Sequence, residues 1–157
     1  MKIVLVGKAA SGKDFLRKRL MNTGFTYGVS HTTRKPRVGE VEGKDYFFIS
    51  KEEFLELIDA GKMVEYQEFN GWYYGMATWI WNEADIVILN AEAVDLLSEE
   101  LRNQCTVIYL DIDRNIREQR MLERNDHQDS TERRLTADDE QFAGFSNYDI
   151  KITNPDF

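Results

Sequence analysis

Apolar and polar positions fall into two alternating kinds of block along this chain. Ile3-Val4-Leu5-Val6 is an unbroken apolar, β-branched run. Such a run predicts a strand buried on both faces, as in parallel sheets. After a Gly-containing turn, Phe15, Leu16, Arg19 and Leu20 recur at helical spacing until Gly24. TYGVS predicts a short second strand, and the charged, Gly- and Pro-containing residues 31–44 predict a loop. DYFFIS predicts a strand. Ser50 and Glu53 then form a capping-box pattern, opening a helix whose apolar stripe is Phe54, Leu57 and Ile58. GKMVEYQEF and GWYYG predict a hairpin turning at Asn70-Gly71. Next come ADIVILN as strand, AEAVDLLSEELRN as helix, CTVIYLDI as strand and NIREQRMLER as helix. NDHQDST predicts a polar loop, TERRLTADDEQFAGF a helix and YDIKITN a last strand. Strands and helices alternating in this way predict an α/β fold built on a parallel sheet. Residues 31–80 break the rhythm and read as an insertion.

Composition narrows the function classes. The 157 residues carry 20 Lys+Arg against 28 Asp+Glu, a net charge of −8. That balance excludes coating nucleic acid through general basicity, but not a small anionic substrate met by local cations. The length suits one domain with a real core and no need of disulfides. Cys105 is the one cysteine, so neither an internal disulfide nor a Cys-based zinc site is expected; in CTVIYL it reads as a buried strand thiol. No apolar run approaches the ~20 residues of a membrane span. The start MKIVLVGK is too short before its turn for a signal peptide, so a reducing cytoplasm is the expected setting.

Candidate chemistry begins at Gly7-Lys8-Ala9-Ala10-Ser11-Gly12-Lys13, which fits GxxxxGK between an expected strand and an expected helix. Glycines let successive N–H groups face phosphate oxygens, and the helix N-terminus adds partial positive charge. Lys13 would reach the outer phosphates as a point charge. Where the motif usually has Ser or Thr for Mg²⁺, this chain has Asp14. Asp14 reads equally as a Mg²⁺ carboxylate and as a helix-capping acid.

The substrate is suggested by a second block. Ser30-His31-Thr32-Thr33-Arg34-Lys35-Pro36-Arg37, then Val38-Gly39-Glu40, Gly43-Lys44-Asp45-Tyr46-Phe47-Phe48 and Phe69-Asn70-Gly71-Trp72-Tyr73-Tyr74-Gly75, resembles the guanylate kinase family. The resemblance runs from the phosphate loop to the last strand. It implies a P-loop NTPase-type parallel sheet flanked by helices, with an inserted mixed α/β lobe for the nucleoside monophosphate (about 31–80) and a lid (about 124–134). The core would be 1–30 and 84–157. It also implies ATP as co-substrate with Mg²⁺, and GMP or dGMP as acceptor. By resemblance, Arg34, Arg37, Tyr46 and Tyr74 hold the GMP phosphate, and Ser30, Glu65 and Glu92 read guanine. Their chemistry suits those roles. Arginine forks fit a phosphate, and a carboxylate accepts from guanine N1–H and N2–H₂ together, which adenine does not offer. Without the flanking motif, Glu65 reads as a solvated strand-face charge. Met76 and Asn90 depart from the family pattern, which usually has a hydroxyl and an Asp there. They put base selectivity in question.

Arg117, Arg120 and Arg124 share one helix face, and alone they read as a solvated charged surface. The resemblance makes Arg120, Arg124 and Arg134 lid arginines that stabilise the transferring phosphoryl group, with Arg133 a substitute for Arg134. Asn154 corresponds to a position beside the ATP base. His31 and His127 lie in expected loops without metal spacing, and Trp72, Trp79 and Trp81 are expected to pack under the lobe. Three functions are thereby framed: ATP-dependent phosphorylation of GMP, a kinase of altered base choice, and a non-catalytic binding module. The motifs leave oligomeric state and sugar preference open. Charge is uneven. Residues 38–101 hold 3 Lys+Arg against 15 Asp+Glu, whereas cations gather at 8–19, 34–37 and 114–134, where phosphates are expected.

Overall fold

Four apolar residues at 3–6 need neighbours on both faces, and the computed structural model supplies them. It describes residues 1–124 and 128–157. β1 (Lys2–Gly7) pairs in parallel with β8 (Cys105–Leu110), from Lys2↔Cys105 to Gly7↔Leu110. β8 pairs in parallel with β9 (Ile150–Ile152). Val4, Leu5, Val6, Val107 and Leu110 are wholly buried, each stabilising the fold by about 1.5–3 kcal/mol relative to exposure. With β2 (Tyr27–Gly28) and β7 (Ile86–Leu89), also parallel to each other, the sheet order is β2-β7-β1-β8-β9.

The chain divides into two units, residues 1–25 with 88–157 and residues 26–87, and β7 runs through the boundary. In the first unit, α1 (Lys13–Met21) follows β1, and α6 (Arg114–Glu123) packs on α7 (Gln128–Phe142). Leu135 of α7 is fully buried with Ala10 and Met121, so this helix packs directly beneath the phosphate loop. Tyr109 stacks on Phe142 at 5.5 Å and meets the edge of Phe145. The segment expected as one helix over 91–103 is two, α4 (Ala91–Asp95) and α5 (Glu99–Asn103). Ser98 explains the break: its side chain accepts from Leu101 N, capping a new helix. α7 starts three residues earlier than its apolar pattern suggests, inside the expected polar loop.

The second unit carries a separate sheet, order β4-β3-β6-β5. It contains β3 (His31–Thr32), β4 (Phe47–Phe48), β5 (Met63–Phe69) and β6 (Trp72–Ala77). The hairpin turns where expected: Phe69 pairs with Trp72, and Asn70 and Gly71 take φ of 52° and 81°. α2 (Lys51–Asp59) starts with the full capping box, and its buried Phe54 stacks on Tyr73 at 5.3 Å. Gly75 lets this helix approach, since a Cβ there would lie 2.4 Å from Met63 Cε and 3.0 Å from Phe54 Cζ.

Two expectations fail in this unit. His31 and Thr32 are strand, not loop. His31 is buried between the rings of Phe47 (4.9 Å) and Trp79 (5.6 Å), and burial lowers its pKa. Residues 78–83, without an expected structure, form α3 (Thr78–Glu83). Trp81 on it is core, but Trp72 and Trp79 are each more than 40% exposed, so the expected aromatic packing holds for one tryptophan of three.

Candidate active site

The phosphate loop is built by steric exclusion. At Gly7, where β1 ends, a Cβ would lie 2.5 Å from Ser11 Oγ and 2.9 Å from Leu110 O. The chain then curls back through Ala10 (φ 60°) and Gly12 (φ 98°). Gly12 is the N-cap of α1, and no side chain caps that helix, so the capping role weighed for Asp14 is not taken. Asp14 sits in the first turn instead. Its carboxylate is 75% exposed and pairs with Arg17 at 3.2 Å.

Lys13 folds back over the loop. Its Nζ donates to Gly7 O at 2.5 Å and to Lys8 O at 2.9 Å. Burial lowers its pKa to about 8; the nearby carboxylates of Asp138 and Asp14 oppose that shift, and Arg117 and Arg124 add to it. Arg124 is thus placed in the electrostatic neighbourhood of Lys13. Arg120 is half-buried, donating to Ala10 O at 3.0 Å and to Pro155 O at 3.1 Å. Arg117, the third arginine of the expected charged face, is buried. Its Nε donates to Ile112 O at 2.9 Å. Arg133 and Arg134 are exposed on α7; residues 125–127 of the expected lid, His127 among them, lie outside the described residues.

Sequence reasoning missed a pair of carboxylates here. Asp138 Oδ2 accepts from the loop amide of Ala9 at 2.6 Å, and Asp139 accepts from Lys8 Nζ at 2.9 Å. Asp139 also pairs with Arg114 and Arg117. TADDEQF lies within the expected helix TERRLTADDEQFAGF, and nothing in that pattern signals that these acids meet the loop.

Beside the loop lies a cavity of about 560 Å³ whose wall includes Gly12, Phe15, Arg120, Arg124, Pro155 and Phe157. The ring of Phe157 covers Gly12 and meets the edge of Phe15 at 6.3 Å. A flat apolar ring beside two guanidiniums suits a nucleobase joined to phosphates. Asn154 is not in that wall; its side-chain oxygen accepts from Asp156 N at 2.9 Å. Pro155 and Phe157 are among the wall residues that the sequence pattern did not point to.

The second unit holds the other cluster. Arg34 presents its fork to Glu40, with both N···O distances 2.9 Å, and lies 5.5 Å over the Tyr46 ring. Hydrogen bonding to Glu40 raises the Arg34 pKa and lowers that of Glu40; a bond to Tyr74 adds to the former. Tyr46 and Tyr74 meet edge to face at 6.0 Å. The structure therefore brings Arg34, Tyr46 and Tyr74 together. Arg37 gives its backbone N–H to Glu40 at 2.7 Å; its side chain is exposed, and its charge helps to lower the Glu40 pKa. Glu40 is the missed member, a charge in the motif that turns out to orient Arg34. Ser30 is half-buried, and its carbonyl accepts from Phe47 N at 2.9 Å.

Glu65 is 6% exposed, so it is not a solvated strand-face charge. It sits beside a bulge in β5, directly across from the fully buried Met76. In the first unit, Glu92 is exposed in the first turn of α4. Asn90 caps that helix, its side chain accepting from Ala93 N at 2.8 Å. Asn serves that cap as well as Asp.

A Mg²⁺ ion carried on substrate phosphates keeps several waters and needs one or two protein carboxylates. Asp14, exposed and next to Lys13, fits that demand. Among the described residues no cluster of three or more His, Cys, Asp or Glu forms a protein metal cage. No helix among them is long and apolar enough to cross a membrane.

Known proteins agree with this arrangement. The family model for guanylate kinase matches residues 1–157. A guanylate kinase of Streptococcus thermophilus (strain CNRZ 1066) is 35% identical over 97% of this chain and 78% of its own. One from Bacillus anthracis is 53% identical over 76 residues, 46% of this chain and 37% of its own. The crystal structure of guanylate kinase from Anaplasma phagocytophilum superposes with a TM-score of 0.69 at 25% identity, covering 99% of this chain and 77% of that one. The α/β fold is thus that of a nucleoside monophosphate kinase, and the chain belongs to the guanylate kinase family.

Proposed function

We propose that the chain transfers the γ-phosphoryl group of ATP to GMP or dGMP. The observation that carries this reading is Lys13, a buried ammonium held over Gly7 and Lys8 by carbonyls that a polyphosphate would replace. On nucleotide binding, Lys13 turns from those carbonyls to the outer phosphates, while loop amides from Lys8 to Asp14 line the rest. Arg120 and Arg124, with Arg134 or Arg133 from α7, stabilise charge spread over the moving group. Arg34, Arg37, Tyr46 and Tyr74 hold the acceptor phosphate. Its oxygen is already anionic, so the attack needs no general base. Ser30 and Glu65 read guanine, assisted by Glu92. Mg²⁺, when bound with ATP, neutralises phosphate charge, and Asp14 is the residue that would hold it. Segment 124–134 acts as a lid that excludes water. The setting in this reading is cytoplasmic, with Cys105 a buried, free thiol.

A coupled ADP-release assay across GMP, dGMP, AMP, CMP and dTMP tests the reading. Turnover with GMP or dGMP, and at least about a hundredfold lower kcat/KM for AMP, is expected; no turnover with any acceptor would overturn it. A second reading, broadened base choice, is favoured by Met76. It lies across from Glu65, where the family pattern has a hydroxyl, and cannot donate a hydrogen bond. Comparable kcat/KM for GMP and another monophosphate would select it.

A further inference from the structure

The acidic pair on α7 has a use beyond the fold. Asp139 is surrounded by cations, since Lys8, Arg114 and Arg117 all reach it. Asp138 is different. Its carboxylate sits on the amide of Ala9 at 2.6 Å, a main-chain donor of the phosphate loop. It also lies close enough to Lys13 to be the largest charge acting to keep that ammonium protonated. Packing holds it there: Leu135, one helical turn earlier, is fully buried with Ala10 and Met121. A carboxylate in this position does what a phosphate oxygen would do. It accepts a loop N–H and balances Lys13.

We propose that Asp138 is an internal competitor for the donor-phosphate cradle, a carboxylate that the incoming polyphosphate must displace from Ala9, so that α7 sets the affinity for ATP. One N–H cannot serve two anionic oxygens well, and two like charges near Lys13 repel. The bound state therefore carries the cost of moving Asp138 away. This rests on the reading of the phosphate loop as the ATP site. It adds a determinant of donor affinity that lies in neither the loop nor the lid.

The test is calorimetric binding of MgATP and of inorganic tripolyphosphate, without acceptor, to the full chain and to three variants. Asp138→Asn keeps an acceptor but removes the charge, Asp138→Ala removes both, and Glu140→Gln removes an exposed charge of the same helix. Binding about tenfold tighter in Asp138→Asn, and tighter again in Asp138→Ala, is expected from losing a charge-assisted competitor. Glu140→Gln should stay within about twofold, since exposed charges there are screened. In the free protein, the Ala9 amide proton should shift upfield in Asp138→Asn, and the difference from wild type should vanish at saturating ATP. Affinity that is unchanged or weaker in Asp138→Asn overturns the proposal, as does Glu140→Gln tightening to the same degree. If Asp138→Ala fails to fold, Asp138→Asn and the Ala9 resonance decide the matter. If no variant and no wild type binds either ligand, the ATP-site reading falls, and the competitor with it; binding by all four at equal affinity removes the competitor alone.

Discussion

In the second unit, the Arg34 fork is gripped by a carboxylate six residues away, within one loop. In the first unit, Lys13 is gripped by main-chain carbonyls of its own loop, and the carboxylates that balance the cradle arrive from 129 and 131 residues away. In the proposed reading both clusters hold phosphate. They differ in what poises them. The acceptor cluster is organised locally by side chains, so its geometry should survive changes elsewhere. The donor cradle is organised by backbone exclusion at Gly7 and by a remote helix, so it should respond to that helix.

The largest expected effect tests the donor side. Lys13→Met removes a transition-state cation and should lower kcat by about a thousandfold, while GMP affinity stays within about twofold of wild type. Unchanged turnover would break the assignment, and lost GMP binding would break the separation of the two clusters. Arg34→Ala comes next. Loss of a charge-assisted bidentate contact should raise KM for GMP by about thirtyfold, with KM for ATP nearly unchanged. Arg34→Lys should restore little of it, because an ammonium lacks the fork.

This contrast also explains what could be read from residues alone. Gly7 to Lys13, the capping box at Ser50 and the Asn70-Gly71 turn are carried by short spacings, whereas the meeting of Arg34 with Tyr46 and Tyr74, 12 and 40 residues on, is legible only through the family resemblance. Each rests on local sterics or on a motif. Residues whose meaning depends on distant packing stayed hidden. Asp138 and Asp139 fall inside an expected helix with nothing to single them out. His31 reads as loop until Phe47 and Trp79 enclose it. Glu40 is one more residue of the motif, without a role, until Arg34 closes on it. Phe157 shows no periodic signal, and its ring covers Gly12 through chain separation that no window of sequence spans.

Two smaller effects sharpen the comparison. Lys13 titrates near pH 8 in the free protein, lowered by burial. Polyphosphate favours the ammonium form, so binding above that pH should take up a proton. ATP affinity should then fall by up to about tenfold per pH unit above 8. Calorimetry in buffers of different ionisation enthalpy reads that proton directly. GMP affinity should stay flat across the same window, because the Arg34 and Tyr46 pKa values are shifted upward, away from it. A parallel fall for GMP would show that the two clusters titrate together. The smallest effect is Ser50→Ala. Ser50 accepts from Glu53 N at 3.1 Å to start α2, and the α2 residue Phe54 supports β6 beneath Tyr73 and Gly75. Losing the cap should cost about 1 kcal/mol of stability, measured by denaturant unfolding. Because Tyr74 lies on the strand so supported, a modest rise in KM for GMP is expected, and none in KM for ATP. Equal rises in both would mean that the acceptor cluster is not held locally, and the contrast between a self-contained lobe and a helix-dependent cradle would not stand.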